Sequence, residues 1–276
     1  MKLGLILIGI SLIGIGVILT STSDANTVAN ENVLGIWLFD EGNGNKINDS
    51  SGNGNDGQLL LGGQSKWVDG KFGKALEFDG DQAFVEMKTP TNTGRQGHTI
   101  SLWVNPDRIQ KDFTVIMSNH NPIPQGFSIQ QRAAETNNFF HGLVVADAWQ
   151  GPPFAVRPAT QLIAGTWQHL VLVRDGRRGV LTHWLNGLPT AGYPILRGAQ
   201  TESDDNLRIG NTAAVKHAAW AANREFKGAV DEVIIFERPL TIDEILVLGE
   251  KSAEDALAVS PKGRLATTWG QLKARY

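Results

Sequence analysis

Cysteine is absent from the 276 residues of this chain, and proline is scarce, with 11 residues. Without cysteine the chain has no disulfide, no cysteine-ligated zinc or iron–sulfur cluster, no thiol nucleophile and no lipidated cysteine. Neither sign of charge dominates, because 25 Lys and Arg stand against 28 Asp and Glu and leave a net charge of −3. Binding to nucleic-acid phosphates relies on clustered Lys and Arg, so the composition predicts no nucleic-acid partner.

A single long hydrophobic run occurs, from Leu3 to Leu19, and Lys2 precedes it. Small residues follow, and Ser23-Asp24-Ala25 fits the pattern at which signal peptides are cleaved. The run is at the short end for a membrane span, which takes about 20 residues. We therefore expect residues 1–25 to be a signal peptide, with a retained membrane anchor as the alternative. Either case predicts a secreted or cell-surface protein, which meets a membrane only if the segment is retained.

Short strands dominate the chain from residue 33 to residue 237. They are rich in β-branched and aromatic residues, turn residues separate them, and no amphipathic helix intervenes. This pattern argues against βαβ units and predicts an all-β, two-sheet antiparallel sandwich over residues 33–250. The predicted strands cover residues 33–39, 57–61, 74–78, 83–87, 99–104, 113–117, 126–130, 142–146, 167–173, 179–185, 206–210 and 229–236.

Three local patterns refine this prediction. Asn186-Gly187 between two strands predicts a tight type I′ hairpin, because both residues tolerate positive φ. Four consecutive apolar residues, Leu170–Val173, predict a central strand that is covered on both faces. Thr241 followed by Glu244 fits a capping box, and we expect a short helix from there to Gly249. Residues 251–276 are predicted to be a C-terminal tail with a short helical appendage.

The order of several motifs along residues 33–250 resembles the LamG-like jelly roll family, within the concanavalin A-like lectin/glucanase superfamily. The resemblance implies a two-sheet jelly-roll sandwich, often bound to calcium, secreted, and used to bind glycans or proteins. It does not imply one function, because the fold also hosts hydrolases. The motifs are, in order, GIWLFDEGNG, NDSSGNGNDGQL, GKFGKALEFDGDQAFVEM, HTISLWVNP, GTWQHLVLVRDG, LTHWLNG, LRIGN and FKGAVDEVIIFERPLTIDEI.

Acidic and glycine-rich segments make calcium the expected cofactor. Asp40 ends the first strand, and the loop that starts at Asp49 is rich in Asp, Asn and Gly, which supply the oxygen ligands that calcium prefers. An EF-hand is excluded, because Leu60 stands where its bidentate Glu is required. Pairing of the first and last strands would bring Asp40 near Asp231. We therefore predict a calcium site of Asp40, Asp49 and Asp231, with turn formation alone as the alternative.

Hydrolysis is not expected. A retaining glycosidase needs two carboxyls about 5–5.5 Å apart, and hydrolases of this superfamily carry a Glu-x-Asp-x-x-Glu cluster that this chain lacks. Asp231 and Glu232 are adjacent on a predicted strand, so we expect them to point to opposite faces. The histidines lack the close spacing of a zinc site, and we expect His169 to be a hydrogen-bonded core residue.

Tryptophans in polar loops are the candidate ligand-binding residues. An indole packs on the apolar face of a sugar ring, while neighbouring polar groups bind the hydroxyls. Trp149 with Arg157, and Trp220 with His217, are the predicted pairs. The alternative is that each Trp plugs one end of the sandwich.

The sequence thus predicts a secreted, non-enzymatic binding module that recognises carbohydrate or a glycosylated surface, with structural calcium. Its partner would be a glycan or a glycoprotein. One alternative is a structural or adhesion protein that binds protein partners and has no sugar site, and a more distant one is a divergent glycoside hydrolase.

Overall fold

A computed structural model describes residues 27–60, 65–87, 96–107, 114–119, 126–134, 137–145, 149–150, 161–198, 206–211 and 224–257. Only the backbone is described for 132–134, 137–145 and 149–150. The predicted signal peptide and residues 258–276 of the predicted tail lie outside these ranges. In the described part of the chain, no helix is both long enough and apolar enough to cross a membrane.

The described residues form strands and two short helices near the end of the chain. The strands are β1 (Val33–Trp37), β2 (Lys46–Ile47), β3 (Gly57–Leu60), β4 (Lys66–Asp69), β5 (Lys74–Asp79), β6 (Phe84–Met87), β7 (Gly97–Pro106), β8 (Thr114–Ser118), β9 (Gly126–Ala134), β10 (Asn137–Val145), β11 (Trp149–Gln150), β12 (Gln168–Asp175), β13 (Val180–Leu185), β14 (Leu188–Pro194), β15 (Leu207–Ile209) and β16 (Lys227–Phe236). The helices are α1 (Ile242–Glu250) and α2 (Ala253–Ala256).

Two antiparallel sheets build the predicted jelly-roll sandwich. The first sheet has the order β14-β13-β12-β7-β16-β5-β4, and β1 pairs with β16, as expected for the first and last strands. The second sheet has the order β11-β10-β9-β8-β15-β6-β3-β2. One continuous apolar cluster fills the space between the sheets; among its largest members are Trp37, Phe39, Phe78, Phe127 and Phe226.

A second apolar cluster lies on the outer side of the first sheet. Alternation along the central strand β12 explains it, because Leu170 and Leu172 join the inner cluster while Val171 and Val173 join the outer one. The two helices cover this outer face through Ile245, among others. The prediction of a strand covered on both faces is therefore confirmed.

Most of the predicted elements are present. All twelve predicted strands are found, and Asn186 and Gly187 have φ of 51° and 76°, as the hairpin requires. The capping box of Thr241 and Glu244 starts α1, although this helix runs one residue past Gly249. The strands β2, β4 and β11 were not predicted, because they are very short or polar, whereas β14 is the second strand of the predicted hairpin and runs to Pro194 at the sheet edge.

Candidate functional site

The outer face of the second sheet carries a row of polar side chains. Inward-facing Val85 and Met87 alternate along β6 with Phe84 and Glu86, which face outward. Directly paired residues on six neighbouring strands then place polar groups side by side across this face. We call this set the polar row; it consists of Lys46, Gln58, Glu86, Arg208, Ser118 and Ser128.

Arg208 is held rigidly in the middle of the polar row. Its Nη2 lies 2.8 Å from Glu86 Oε1, and its Nε donates to the same oxygen at 2.9 Å. The guanidinium also lies over the ring of Phe84, 4.4 Å from the ring centre. Both charged side chains are mostly buried, with 12% and 17% exposed. Two neighbours on the adjacent strand β6 therefore fix the orientation of Arg208, which is what selective hydrogen bonding to a ligand requires.

Access to the polar row changes along its length. Lys46 and Gln58 are exposed at one end, whereas Ser118 and Ser128 are buried at the other. The buried end is occupied by internal bonds, because Ser118 Oγ donates to the carbonyl of Phe127 at 3.2 Å, and Gln130 Nε2 donates to Ser128 Oγ at 3.0 Å. A ligand would therefore meet the four members of the row that carry an amine, an amide, a carboxylate and a guanidinium. Such mixed donors and acceptors suit a polyhydroxylated ligand.

One of the predicted ligand-binding tryptophans lies at the edge of the same sheet. Trp149 pairs with Val145 in the backbone register, and Val145 pairs with Gly126, two residues along β9 from Ser128. Arg157, His217 and Trp220, the other predicted ligand-binding residues, lie outside the described residues.

Carboxylates of the first sheet converge on the turn between β4 and β5. Asp231 Oδ2 accepts hydrogen bonds from the backbone N–H groups of Lys71 at 2.8 Å and Phe72 at 3.1 Å. Asp40 Oδ1 accepts from the N–H of Lys74 at 2.6 Å. A side chain at Gly73 would collide with the Asp40 carboxylate, so this turn fits closely around it. The structure therefore brings two of the three predicted calcium ligands, Asp40 and Asp231, to one turn.

Burial makes two of these carboxyls hard to ionise. It raises the pKa of Asp231 to about 7, and the negative charge of Asp40 adds to the rise. It raises the pKa of Glu232 to about 8, although the N–H of Ala253 donates to this carboxylate at 2.6 Å. Among the described residues, Asp231 Oδ1 is buried and has no hydrogen-bond partner. An unpaired carboxylate oxygen of this kind is a suitable donor for a cation.

The prediction that Asp231 and Glu232 point to opposite faces is wrong. Val230 and Val233 both join the inner apolar cluster, so two residues lie between them where regular alternation allows one. The register of β16 against β7 shifts at this point, and Glu232 has a φ of 52°, which marks a β-bulge. Both carboxyls therefore contact the outer layer, one at the turn before β5 and one at α2.

Asp49, the third predicted calcium ligand, is engaged elsewhere. Its Oδ1 accepts from the N–H groups of Ile36 at 3.0 Å and Ser51 at 2.9 Å, and its Oδ2 accepts from Asn55 at 2.9 Å. These bonds tie its loop to β1. This role matches the alternative to a calcium site, in which Asp49 only forms a turn. Over the described ranges, no three His, Asp or Glu side chains are grouped closely enough to hold a metal ion. The donor set thus fits calcium at Asp40 and Asp231 only in part, and calcium stays a prediction.

His169 is a core residue, as expected. It is buried, its Nε2 lies 2.8 Å from Ser101 Oγ, and its ring stacks on Trp103 with the centres 5.1 Å apart. Burial lowers the pKa of His169 to about 3, and the charge of Lys71 contributes. The imidazole is therefore neutral and structural.

Sequence reasoning missed the polar row. The alternation of side chains within one strand, such as Phe84-Val85-Glu86, can be read from the sequence, but the neighbours of that strand in the sheet cannot. The row exists only because β15 lies between β6 and β8, far from both along the chain.

Comparison with known families decides the membership of the chain. A family model described as the concanavalin A-like lectin/glucanases superfamily matches residues 79–246. The chain belongs to this superfamily. The match confirms the resemblance that the sequence motifs indicated. A comparison with curated proteins gives no match.

Solved structures of similar fold include sugar-binding and toxin domains. Domain 4 of AbnA, a GH43 extracellular arabinanase from Geobacillus stearothermophilus, in complex with arabinotriose, is 21% identical with a TM-score of 0.60 over 79% of this chain and 98% of that one. The binding domain of Paraclostridial Mosquitocidal Protein 1 is 17% identical with a TM-score of 0.57 over 80% and 52%. The binding domain of botulinum neurotoxin serotype G is 14% identical with a TM-score of 0.55 over 79% and 50%. At these identities the likeness shows the fold alone.

Proposed function

We propose that this protein is a secreted, non-enzymatic module that binds carbohydrate, or a glycosylated surface, at the outer face of its second sheet. The polar row carries this proposal. It offers four polar side chains of different chemistry at its accessible end, namely Lys46, Gln58, Glu86 and Arg208. Together these charged and neutral groups can donate to and accept from adjacent sugar hydroxyls.

The rigid centre of the row supports selective binding. Arg208 is oriented by Glu86 and Phe84 before any ligand arrives, so little side-chain freedom is lost on binding. Trp149, at the edge of the same sheet that lies opposite the accessible end of the row, is the proposed aromatic platform for a sugar ring, and Arg157 is its proposed polar neighbour. Trp220 and His217 stay a second proposed pair. The arabinotriose complex of a domain with this fold is consistent with carbohydrate as the ligand class.

Absence of catalysis is part of the proposal. The buried carboxyls Asp231 and Glu232 each accept backbone N–H groups that hold a turn or a helix in place. A general acid must reach the glycosidic oxygen, and these groups are 0% and 4% exposed. The accessible acid of the row, Glu86, is neutralised by Arg208.

Calcium is proposed as a structural brace of the first sheet. Asp40 and the unpaired Oδ1 of Asp231 would hold the ion beside the turn of residues 70–73. Its charge would offset the repulsion between the two carboxylates and keep Asp231 ionised. This site lies on the other sheet from the polar row, so the ion would support the fold without contacting the sugar.

A glycan array probed with the purified protein in millimolar calcium, and again in EDTA, tests the proposal. We expect binding to a defined set of glycans, and we expect that binding to persist in EDTA at temperatures where the fold survives. A blank array would contradict the sugar-binding function and favour protein partners instead. Release of a reducing sugar from any bound glycan would contradict the absence of catalysis.

A further inference from the structure

The charges at the accessible end of the polar row are balanced. Lys46 Nζ lies 2.7 Å from Oδ2 of Asp56, the residue before β3, and Arg208 Nη2 lies 2.8 Å from Glu86 Oε1. Each of the two cations of the row thus has a carboxylate beside it. This end of the row presents two positive and two negative side chains, which sum to a net charge of zero. The balance bears on which sugars the row can hold.

Both carboxylates are fixed beside their cations. Asp56 Oδ1 accepts from the backbone N–H of Asp49 at 2.9 Å, while its Oδ2 contacts Lys46. The bond from Asp49, followed by that from Lys46, lowers the pKa of Asp56, so this carboxyl is ionised at neutral pH. Glu86 Oε1 contacts both Nε and Nη2 of Arg208, at 2.9 and 2.8 Å. A ligand therefore meets a negative charge beside each positive charge.

An anionic ligand group would have to compete with these carboxylates. The side chains of Arg208 and Glu86 are only 12% and 17% exposed, and separating them would leave a mostly buried charge without its partner. The pair of Lys46 and Asp56 is exposed and separates at little cost, but Asp56 is fixed by the N–H of Asp49 and would repel a second anion there. Neither cation is therefore available to bind a carboxylate or a sulfate group favourably.

Sugar hydroxyls can bind to the row without separating either ion pair. The ammonium of Lys46 has three N–H donors, and Asp56 contacts it with one oxygen. Both contacts of Arg208 are with Oε1 of Glu86, so Oε2 can accept from a hydroxyl. The amide of Gln58, which lies between Lys46 and Glu86 in the row, both donates and accepts. A hydroxyl group, which also donates and accepts, matches this set.

We propose that the row binds an uncharged sugar, and that Glu86 and Asp56 exclude sugars that carry carboxylate or sulfate groups. This choice of ligand rests on the sugar-binding function proposed above and names its class of sugar. The two carboxylates then determine specificity, because they accept hydrogen bonds from a neutral ligand and repel an acidic one. Since the net charge of this end is zero, long-range attraction contributes little to binding.

An array that carries both neutral and acidic glycans tests this selectivity with the full chain. We expect binding to neutral glycans alone, and the dissociation constant of the best of them should change less than about twofold between about 50 and about 500 mM NaCl. Binding to sialylated, sulfated or uronic-acid glycans that equals or exceeds the neutral binding, or affinity that falls about tenfold in the higher salt, would overturn the selectivity and leave the sugar-binding function standing. A blank array would overturn both.

Glu86→Gln gives a second test, because it removes the negative charge at the centre of the row and keeps an oxygen that can accept from Arg208. The matched control is Glu77→Gln in the first sheet, where the carboxylate lies 2.9 Å from Lys66 Nζ. Each variant removes one negative charge from the protein, and a thermal melt checks that each is folded. We expect acidic glycans to bind at least about fivefold more tightly to Glu86→Gln than to Glu77→Gln, as complementary charge requires. Equal or undetectable binding in both variants would overturn the proposed role of Glu86.

Discussion

The two outer faces of this sandwich are built in opposite ways. The outer face of the first sheet is apolar, with Val171, Ile234 and Phe236 buried beneath two short helices. The outer face of the second sheet carries a cross-strand polar row whose central ion pair, Arg208 and Glu86, is mostly shielded from solvent but reachable from one end. A sheet that is covered on both faces serves stability, whereas a polar face on a rigid sheet can serve recognition.

This contrast separates two kinds of polar group. The buried carboxyls of the first sheet bind the protein's own backbone, since Asp231 holds a turn and Glu232 holds α2. On the second sheet, by contrast, the two charged side chains at the centre of the polar row, Arg208 and Glu86, bind each other across strands. Substitutions on the first face should therefore change stability, and substitutions at the accessible end of the second face should change ligand binding.

The largest expected effect is on the first face. Phe236→Ala removes a fully buried ring from the outer apolar cluster and should lower the free energy of unfolding by about 3–5 kcal/mol. Urea denaturation followed by fluorescence measures this loss. A loss below about 1 kcal/mol would mean that the helices do not form a second core on this face.

Asp49→Ala should have the next largest effect. Three backbone N–H groups lose their acceptor, and the cost should be about 2–3 kcal/mol of unfolding free energy. The measurement compares Asp49→Ala with the wild type in calcium and in EDTA. An equal loss in both conditions is expected for a residue that organises its loop, whereas a loss that occurs only in calcium would make Asp49 a metal ligand.

The pH dependence of stability should follow the buried carboxyls above pH 6.5. The folded-state pKa values of Asp231 and Glu232, about 7 and 8, exceed the ordinary values of 3.8 and 4.5, so their contribution is lost as pH rises through 7 and 8. His98 and His169, whose pKa burial lowers to about 3, act in the opposite direction below pH 6.5.

In EDTA the two carboxyls and the two histidines therefore offset each other between about pH 5 and 6.5, and stability should change little there. Above pH 6.5 only the carboxyls act, and stability should fall toward pH 8 by at most about 1.4 kcal/mol per pH unit for each of them. Asp231→Asn removes one of these carboxyls and should flatten the fall. Thermal melts at half-unit steps of pH measure the profile. Stability that rises from pH 6.5 to 8 would contradict the raised pKa values.

Calcium should stabilise the first sheet modestly. At ten times the dissociation constant it would add about 1.4 kcal/mol, which raises the melting temperature by about 3–6 °C. The shift should vanish in Asp231→Asn, which removes the ionised oxygen, and should persist in Glu86→Gln on the other sheet. If calcium does not shift the melting temperature of the wild type, the proposed metal role of Asp40 and Asp231 is contradicted.

The fold could be predicted from the sequence because its signals are local. Alternating apolar residues, Asn186-Gly187 and the Thr241 capping box each act within a few residues, and the structure contains all of them. Even the pairing of β1 with β16 followed from the resemblance to a known sandwich.

The site could not be predicted in the same way. The polar row joins residues as distant along the chain as Lys46 and Arg208, through strand neighbours that sequence alone does not give. The sequence does not reveal the bulge at Glu232. One residue with positive φ reverses the faces of the sheet to which the following side chains point, and Glu has no intrinsic preference for that conformation. Of the ligand-binding residues predicted, the described structure reaches only Trp149.

The central claim is that the second outer face binds carbohydrate, and a matched pair of lysines tests it most directly. Lys46 lies in the polar row and Lys66 lies in the first sheet; their side chains are 62% and 64% exposed, and each forms an ion pair. Alanine at either position should cost no more than about 0.5–1 kcal/mol of stability.

The measurement is the dissociation constant of the best glycan from the array, for the double variant Lys46→Ala with Gln58→Ala and for Lys66→Ala. We predict binding at least about tenfold weaker in the double variant, equivalent to about 1.4 kcal/mol, and unchanged binding in Lys66→Ala. Unchanged binding in the double variant, or an equal loss in both, would contradict the account.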